Sequence, residues 1–212
     1  MTAYFALTDD DLNIFDDLYL QLKPDDISQL VVEPQSIEVH KIQPEEHIKD
    51  PNTITYSEGK KVLLDFLTKH KIPKKKRHFQ PCGHNVGFDI NFVTAQLVPH
   101  EEWEKLVHYR KLDTSAITSF LKDVDFLPAD VGGLGSLVEY FKIQMLTAHN
   151  ARDDIKMNIE VYRHIKQLMK IKRTDIANAS TNSLLEIIEE WKKVRHWKNF
   201  GLKFTVTVIL AK

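Results

Sequence analysis

Apolar and polar positions alternate in two pieces over residues 2–23, first Ala3-Tyr4-Phe5-Ala6-Leu7 and then residues 14–22, around the polar turn Thr8-Asp9-Asp10-Asp11. That pattern predicts a β-hairpin, closed off by Pro24-Asp25-Asp26. Residues 34–42 predict a short helix after Pro34, with Ile37 and Ile42 apolar, and a loop follows with Pro44, Asp50 and Pro51. Thr55-Tyr56-Ser57-Glu58 has the spacing of a capping box, ahead of Val62, Leu63, Phe66 and Leu67 at helical intervals. The run Pro73-Lys74-Lys75-Lys76-Arg77 breaks that helix. Residues 78–82 then predict a short strand that leads through Gly83-His84-Asn85 into a helix from Val86, carrying Phe88, Phe92 and Leu97 until Pro99 ends it.

The second half is mostly helical. Residues 103–107 form an amphipathic piece, Leu112-Asp113-Thr114 opens a further element, and residues 134–141 make a Leu-rich helix. A long helix covers 151–170, with Ile155, Ile159, Tyr162, Ile165 and Met169 on one face. In the tail, Thr181-Asn182 can cap a helix carrying Leu184, Ile187, Ile188, Trp191 and Val194, which Gly201 ends. Residues 204–210 come next as a clear β-strand signal. The division expected is 1–170 as the main domain and 171–212 as a helix-strand extension.

At 212 residues the chain can bury a sizeable core. Its 42% hydrophobic and 28% charged residues are those of a soluble globular protein. A net charge of −1 leaves no global positive field, so any polyanion must be held by local patches or by bound metal. Cys82 stands alone, which excludes an internal disulfide and suits a reducing compartment. No apolar run has the length of a membrane span, and no signal-peptide layout opens the chain. A cytoplasmic location is expected.

Two stretches carry candidate chemistry. Gly83-His84-Asn85-Val86-Gly87-Phe88-Asp89-Ile90-Asn91-Phe92 and His149-Asn150-Ala151-Arg152-Asp153-Asp154 each join a polar turn to a helix with a carboxylate in its first turns. Read as H-N-x-x-F-D-x-x-F and H-x-A-x-x-D, they resemble the second and third motifs of the DEDDh (DnaQ-like) 3′→5′ exonucleases. The likeness covers residues 2–169 and includes Leu112-Asp113-Thr114 and the helix at 134–141 between the motifs. It implies an α/β fold of the ribonuclease H-like type, a mixed sheet flanked by helices. By the same resemblance Asp89 and Asp154 are two of four metal-holding carboxylates and His149 is the general base that takes a proton from the attacking water. The implied cofactor is Mg²⁺ or Mn²⁺, and the implied partner is the 3′ end of DNA or RNA, with a polymerase as a further possible companion.

Other residues get plainer readings. His84 and Asn85 are expected to support the site, Asn85 by tying down the turn or capping the helix. Phe88 and Phe92 are expected in the core, Asp113 in a turn, and Asp153 in solvent. The Gly-rich stretch 131–136 lacks the Gly-Lys-Ser/Thr ending of a phosphate loop and reads as a helix-leading turn. The basic run 73–77 reads as a solvated loop, and Trp191 and Trp197, interleaved with Lys192, Lys193, Arg195 and Lys198, read as an amphipathic helix at least as well as a nucleic-acid contact. No residue is singled out as binding nucleic acid.

One part of the family pattern is missing. Members carry an Asp-x-Glu on the first, central strand of the sheet, and this chain has no Asp-x-Glu. Residues 3–7 match the family's second strand, so the fold is expected to lack its first strand. An empty central slot leaves two edges of unpaired backbone. Three occupants are conceivable: a separate polypeptide or upstream piece bearing the acids, the chain's own 204–210 strand, or none. The first is the leading expectation and self-insertion the second. A catalytically silent domain derived from the exonuclease fold is the alternative function.

Overall fold

The computed structural model describes residues 1–32, 34, 37–38, 42–72, 78–144, 150–177 and 205–211, as backbone alone at 29, 170–177 and 205–211. Its strands are β1 (Thr2–Thr8), β2 (Ile14–Lys23), β3 (Thr53–Thr55), β4 (Gln80–Gly83), β5 (Leu112–Asp113) and β6 (Thr205–Ala211). The helices are α1 (Pro44–Lys49), α2 (Tyr56–Lys69), α3 (Val86–Gln96), α4 (His100–Leu106), α5 (Thr114–Asp123), α6 (Leu134–Tyr140) and α7 (Ala151–Ala177). Six strands make one sheet in the order β3-β2-β1-β6-β4-β5. Antiparallel pairing of β1 with β2 and β6 combines with parallel pairing of β4 with β5 and β6. The result is the α/β architecture expected, a mixed sheet flanked by helices.

The expected hairpin is β1 and β2. Its turn is held by Asp9, whose carboxylate accepts from the backbone N–H of Asp11 and Asn13 at 3.0 and 2.8 Å. Every residue of β1 is buried, because both faces of the sheet are covered there. Ala3, Phe5 and Leu7 join one apolar cluster with Leu63 and Leu67 of α2, Val86, Ile90 and Val93 of α3, and Trp103 of α4. Tyr4 and Ala6 face the other way, toward Ala151, Ile155 and Ile159 of α7. A third cluster ties Met157, Val161 and Ile165 of α7 to Leu121 of α5 and Leu137 of α6. Each Phe or Leu fully buried in this way stabilises the fold by about 1.5–3 kcal/mol.

Local signals explain most helix boundaries. The Thr55–Glu58 capping box is present, with the Thr55 side chain accepting from the Glu58 N–H and the Glu58 carboxylate accepting from the Thr55 N–H. Gly59 lets α2 close on β2, since a side chain there would collide with Leu22. The expected loop after Pro44 is instead α1: proline at the first helical position and Glu45 and Glu46 in the first turn favour a helix start. The expected helix at 34–42 lies largely outside the described residues, as do the basic run 73–77 and the tail helix at 181–201. No helix among the described residues is long and apolar enough to cross a membrane.

The central slot is filled by the chain itself. β6 lies between β1 and β4, with Thr2 opposite Ala211, Tyr4 opposite Ile209, and Cys82 opposite Thr207. The leading expectation, a separate or upstream piece in that slot, is therefore replaced by the second, self-insertion. β6 runs antiparallel to β1, which is the direction a strand hairpinned to the start of β1 would take. Backbone groups that would otherwise be orphaned on both edges are paired this way.

Candidate functional site

The first half of the candidate site is the turn between β4 and α3. Asn85 takes a left-handed conformation, φ 58° and ψ 39°, which Asn tolerates better than most side chains. Of the two roles expected of Asn85, tying down the turn or capping the helix, a side-chain cap of α3 is absent. The turn is tied down from outside: the Asp113 carboxylate accepts from the Asn85 N–H at 2.8 Å and from the Ser115 N–H at 3.0 Å. Asp113 is thus more than a turn residue. One side chain caps α5 and fixes the entry into α3.

Asp89 sits in the first turn of α3 and is only 5% exposed. At 100° per residue it shares a helix face with buried Val86 and Val93. A carboxylate there bears a desolvation penalty that a nearby cation or the helix N-terminus offsets. Phe88 departs from its expected place, being 42% exposed, whereas Phe92 packs partly buried against the main cluster.

The second half is the start of α7. Asn150 supplies the cap, its side-chain oxygen accepting from the N–H groups of Arg152 at 3.1 Å and Asp153 at 3.4 Å. Asp153 is half-buried, short of the solvation expected for it. Residues 151, 155 and 159 face β1, while 157, 161 and 165 face α5 and α6. Asp154 and Asn158, four residues apart, form the stripe between these two faces.

Asn158 is fully buried and anchors that stripe. Its Oδ1 accepts from the Thr114 hydroxyl at 2.8 Å; the same hydroxyl lies 3.2 Å from the Gly83 carbonyl and 3.1 Å from His84 Nδ1. Burial holds the His84 pKa below its ordinary value, so the ring is neutral near pH 7. With the proton on Nδ1, His84 donates to Thr114 and Thr114 donates onward to Asn158. This chain of bonds joins the end of β4, the start of α5 and the middle of α7. Asp154 lies one turn before Asn158, the anchor of this chain of bonds on α7.

The two helix starts lie on opposite faces of the sheet, each near the C-terminal half of β6. β4 ends at Gly83, one residue past the Cys82 that pairs with Thr207. On the other face the Arg152 guanidinium lies 5.2 Å from the ring of Tyr4, whose partner in β6 is Ile209. The carboxylate-bearing turns of α3 and α7 thus approach the C-terminal half of β6 from opposite faces of the sheet. His149 lies outside the described residues. Residues 205–211 contain no Asp or Glu, and among the described residues no group of three or more His, Cys, Asp and Glu side chains is placed to hold a metal. Carboxylates such as Asp89 and Asp154 are hard oxygen donors of the kind Mg²⁺ or Mn²⁺ takes.

Sequence reasoning missed three contributors. Thr114 and Asn158 are visible in hindsight as polar residues at positions where an apolar stripe should continue, a pattern that marks buried polar networks. Arg152 lies over Tyr4 and, at 5.8 Å, Tyr19. Tyr4 in turn donates its hydroxyl to the Asp17 carboxylate at 2.8 Å. Burial first, then that carboxylate, push the Tyr4 phenol up to about 12.

Comparison with protein-family models matches residues 21–162 to the family described as Exonuclease. No curated protein and no solved structure matches this chain.

Proposed function

The chain belongs to the exonuclease family, and from that premise we propose that it hydrolyses phosphodiester bonds at nucleic-acid ends in the 3′→5′ direction. What supports this reading is the family match over residues 21–162, with the Asp89 and Asp154 motifs in the order of the DEDDh subtype. Asp89 and Asp154 are the residues to hold Mg²⁺ or Mn²⁺. When bound, such an ion stabilises charge on the phosphate and activates water. His149 is the residue to accept the proton of that water. Asp113, His84, Thr114 and Asn158 aim the two carboxylates.

Two carboxylates fall short of the set that holds two ions, so metal binding weaker than in a complete four-carboxylate site is part of the proposal. The test is a 5′-labelled single-stranded oligonucleotide incubated with Mn²⁺, comparing the wild type with Asp89→Ala and Asp154→Ala. A ladder of shortened products that both variants lose supports the reading. Equal product from wild type and variants removes it.

A second reading has its own observation. The central strand is β6, which carries no acid, and a site without the Asp-x-Glu suits a domain that binds nucleic acid or protein without cutting. Oligonucleotide binding with no metal-dependent ladder would favour this reading over the first.

A further inference from the structure

Next to the start of α3 runs a short segment that the proposed chemistry does not use. Phe79 bridges to Val107, and Cys82 pairs with Leu112. Two residues of β4 separate those points, against four on the other side, so residues 108–111 are pushed outward from the edge of the sheet. Those four are His108, Tyr109, Arg110 and Lys111.

Their side chains form an ordered stack. Tyr109 is 55% exposed. The His108 ring stacks on it at 4.6 Å between centroids, 24° from parallel. The Arg110 guanidinium lies 5.5 Å from its centroid. The His108 ring is itself held, its Nδ1 accepting from the Arg110 N–H at 2.9 Å.

Lys111 extends this strip to the candidate site. Its Nζ stands 3.1 Å from where a side chain on Gly87 would begin, against the first turn of α3 and two residues from Asp89. A cation beside a helix N-terminus opposes the helix dipole. No carboxylate lies within ion-pair distance of it among the described residues. An arriving anion would be met by both the ammonium and the helix N-terminus.

We propose that residues 108–111 are the entry track for a single-stranded nucleic acid, Tyr109 stacking on a base while Arg110 and Lys111 take neighbouring phosphates. The track's purpose, delivery of an end to Asp89 and Asp154, rests on the nuclease reading above. Its chemistry stands apart from it. A nearly neutral chain needs such a local patch to hold a polyanion. An exposed, braced ring distinguishes a base-stacking surface from one that merely attracts charge.

The experiment is fluorescence anisotropy with a labelled fifteen-nucleotide oligothymidylate, in EDTA so that no cleavage intervenes. Tyr109→Ala is expected to weaken binding about tenfold, with Tyr109→Trp restoring it. Lys111→Ala and Arg110→Ala are each expected to lower the salt dependence of binding by about one phosphate contact. Unlabelled polyglutamate should fail to displace the oligonucleotide. Wild-type affinity in Tyr109→Ala overturns the proposal, as does displacement by polyglutamate, which would mark an acidic-protein surface, or an absence of wild-type binding. Circular dichroism melts confirm that each variant is folded. If wild type binds and Tyr109→Ala binds weakly, and yet wild type shows no hydrolysis with Mn²⁺, the nuclease reading fails while the track survives.

Discussion

Replacing Thr114 by valine keeps the shape of the side chain and exchanges one hydroxyl for a methyl, so Thr114→Val isolates the polar network beneath the candidate site. Thr114 is fully buried and its hydroxyl serves Asn158, Gly83 and His84 at 2.8–3.2 Å. Without it the buried Asn158 Oδ1 loses its donor, and among the described residues Asn158 Nδ2 already has no hydrogen-bond partner. One buried acceptor left unpaired costs about 1–3 kcal/mol. The half-buried His84 ring loses a further bond, which adds about 0.5–1 kcal/mol. The variant should therefore unfold roughly 1.5–4 kcal/mol more easily, a fall in Tm of about 3–16 °C for a chain of this size. Urea denaturation followed by tryptophan fluorescence measures it. The double variant Thr114→Val with Asn158→Leu removes the stranded amide as well, and should recover about 1–2 kcal/mol relative to the sum of the single changes. A Thr114→Val protein within about 0.5 kcal/mol of wild type, or a strictly additive double variant, would refute the network as a stabilising element.

Three more expectations rest on the same structure. Val208→Pro places a residue without an N–H in the middle of a strand paired on both sides, and should cost about 3 kcal/mol or more; unchanged cooperative unfolding would show that β6 does not occupy the slot. Burial holds the His84 pKa low, so below about 6.5 the unfolded chain takes up a proton that the folded chain refuses, and stability falls as pH drops through that point. His47, also held low mainly by burial, adds to the same loss, and the drop in urea midpoint between pH 7.5 and 5.5 should be smaller in His84→Gln than in wild type; an equal drop argues against His84. Burial, with Asp113 nearby, pushes the Cys82 thiol up to about 12, so Ellman's reagent at pH 8 should label the native protein at less than about a hundredth of the rate in urea, and fast native labelling would show that β4 is not closed over.

What the chain determined by itself was local. The hairpin, the Thr55–Glu58 cap and the helices opening at Val86 and Ala151 arise from spacings of two to four residues, where side chains on one face are neighbours by geometry. The same reading placed Asp89 and Asp154 in first turns, because a polar turn ahead of an apolar stripe is itself a local signal. It could not tell that Asp113 would bind the Asn85 N–H across 28 residues, or that Thr114 and Asn158 would meet across 44. Nor could it choose the occupant of the central slot. Thr2 and Ala211 are opposite ends of the described chain, and they become neighbours only once sheet order and register are set. Unpaired backbone on two facing edges created the demand for a strand, and the whole fold, rather than any stretch of sequence, brought residues 205–211 there to meet it.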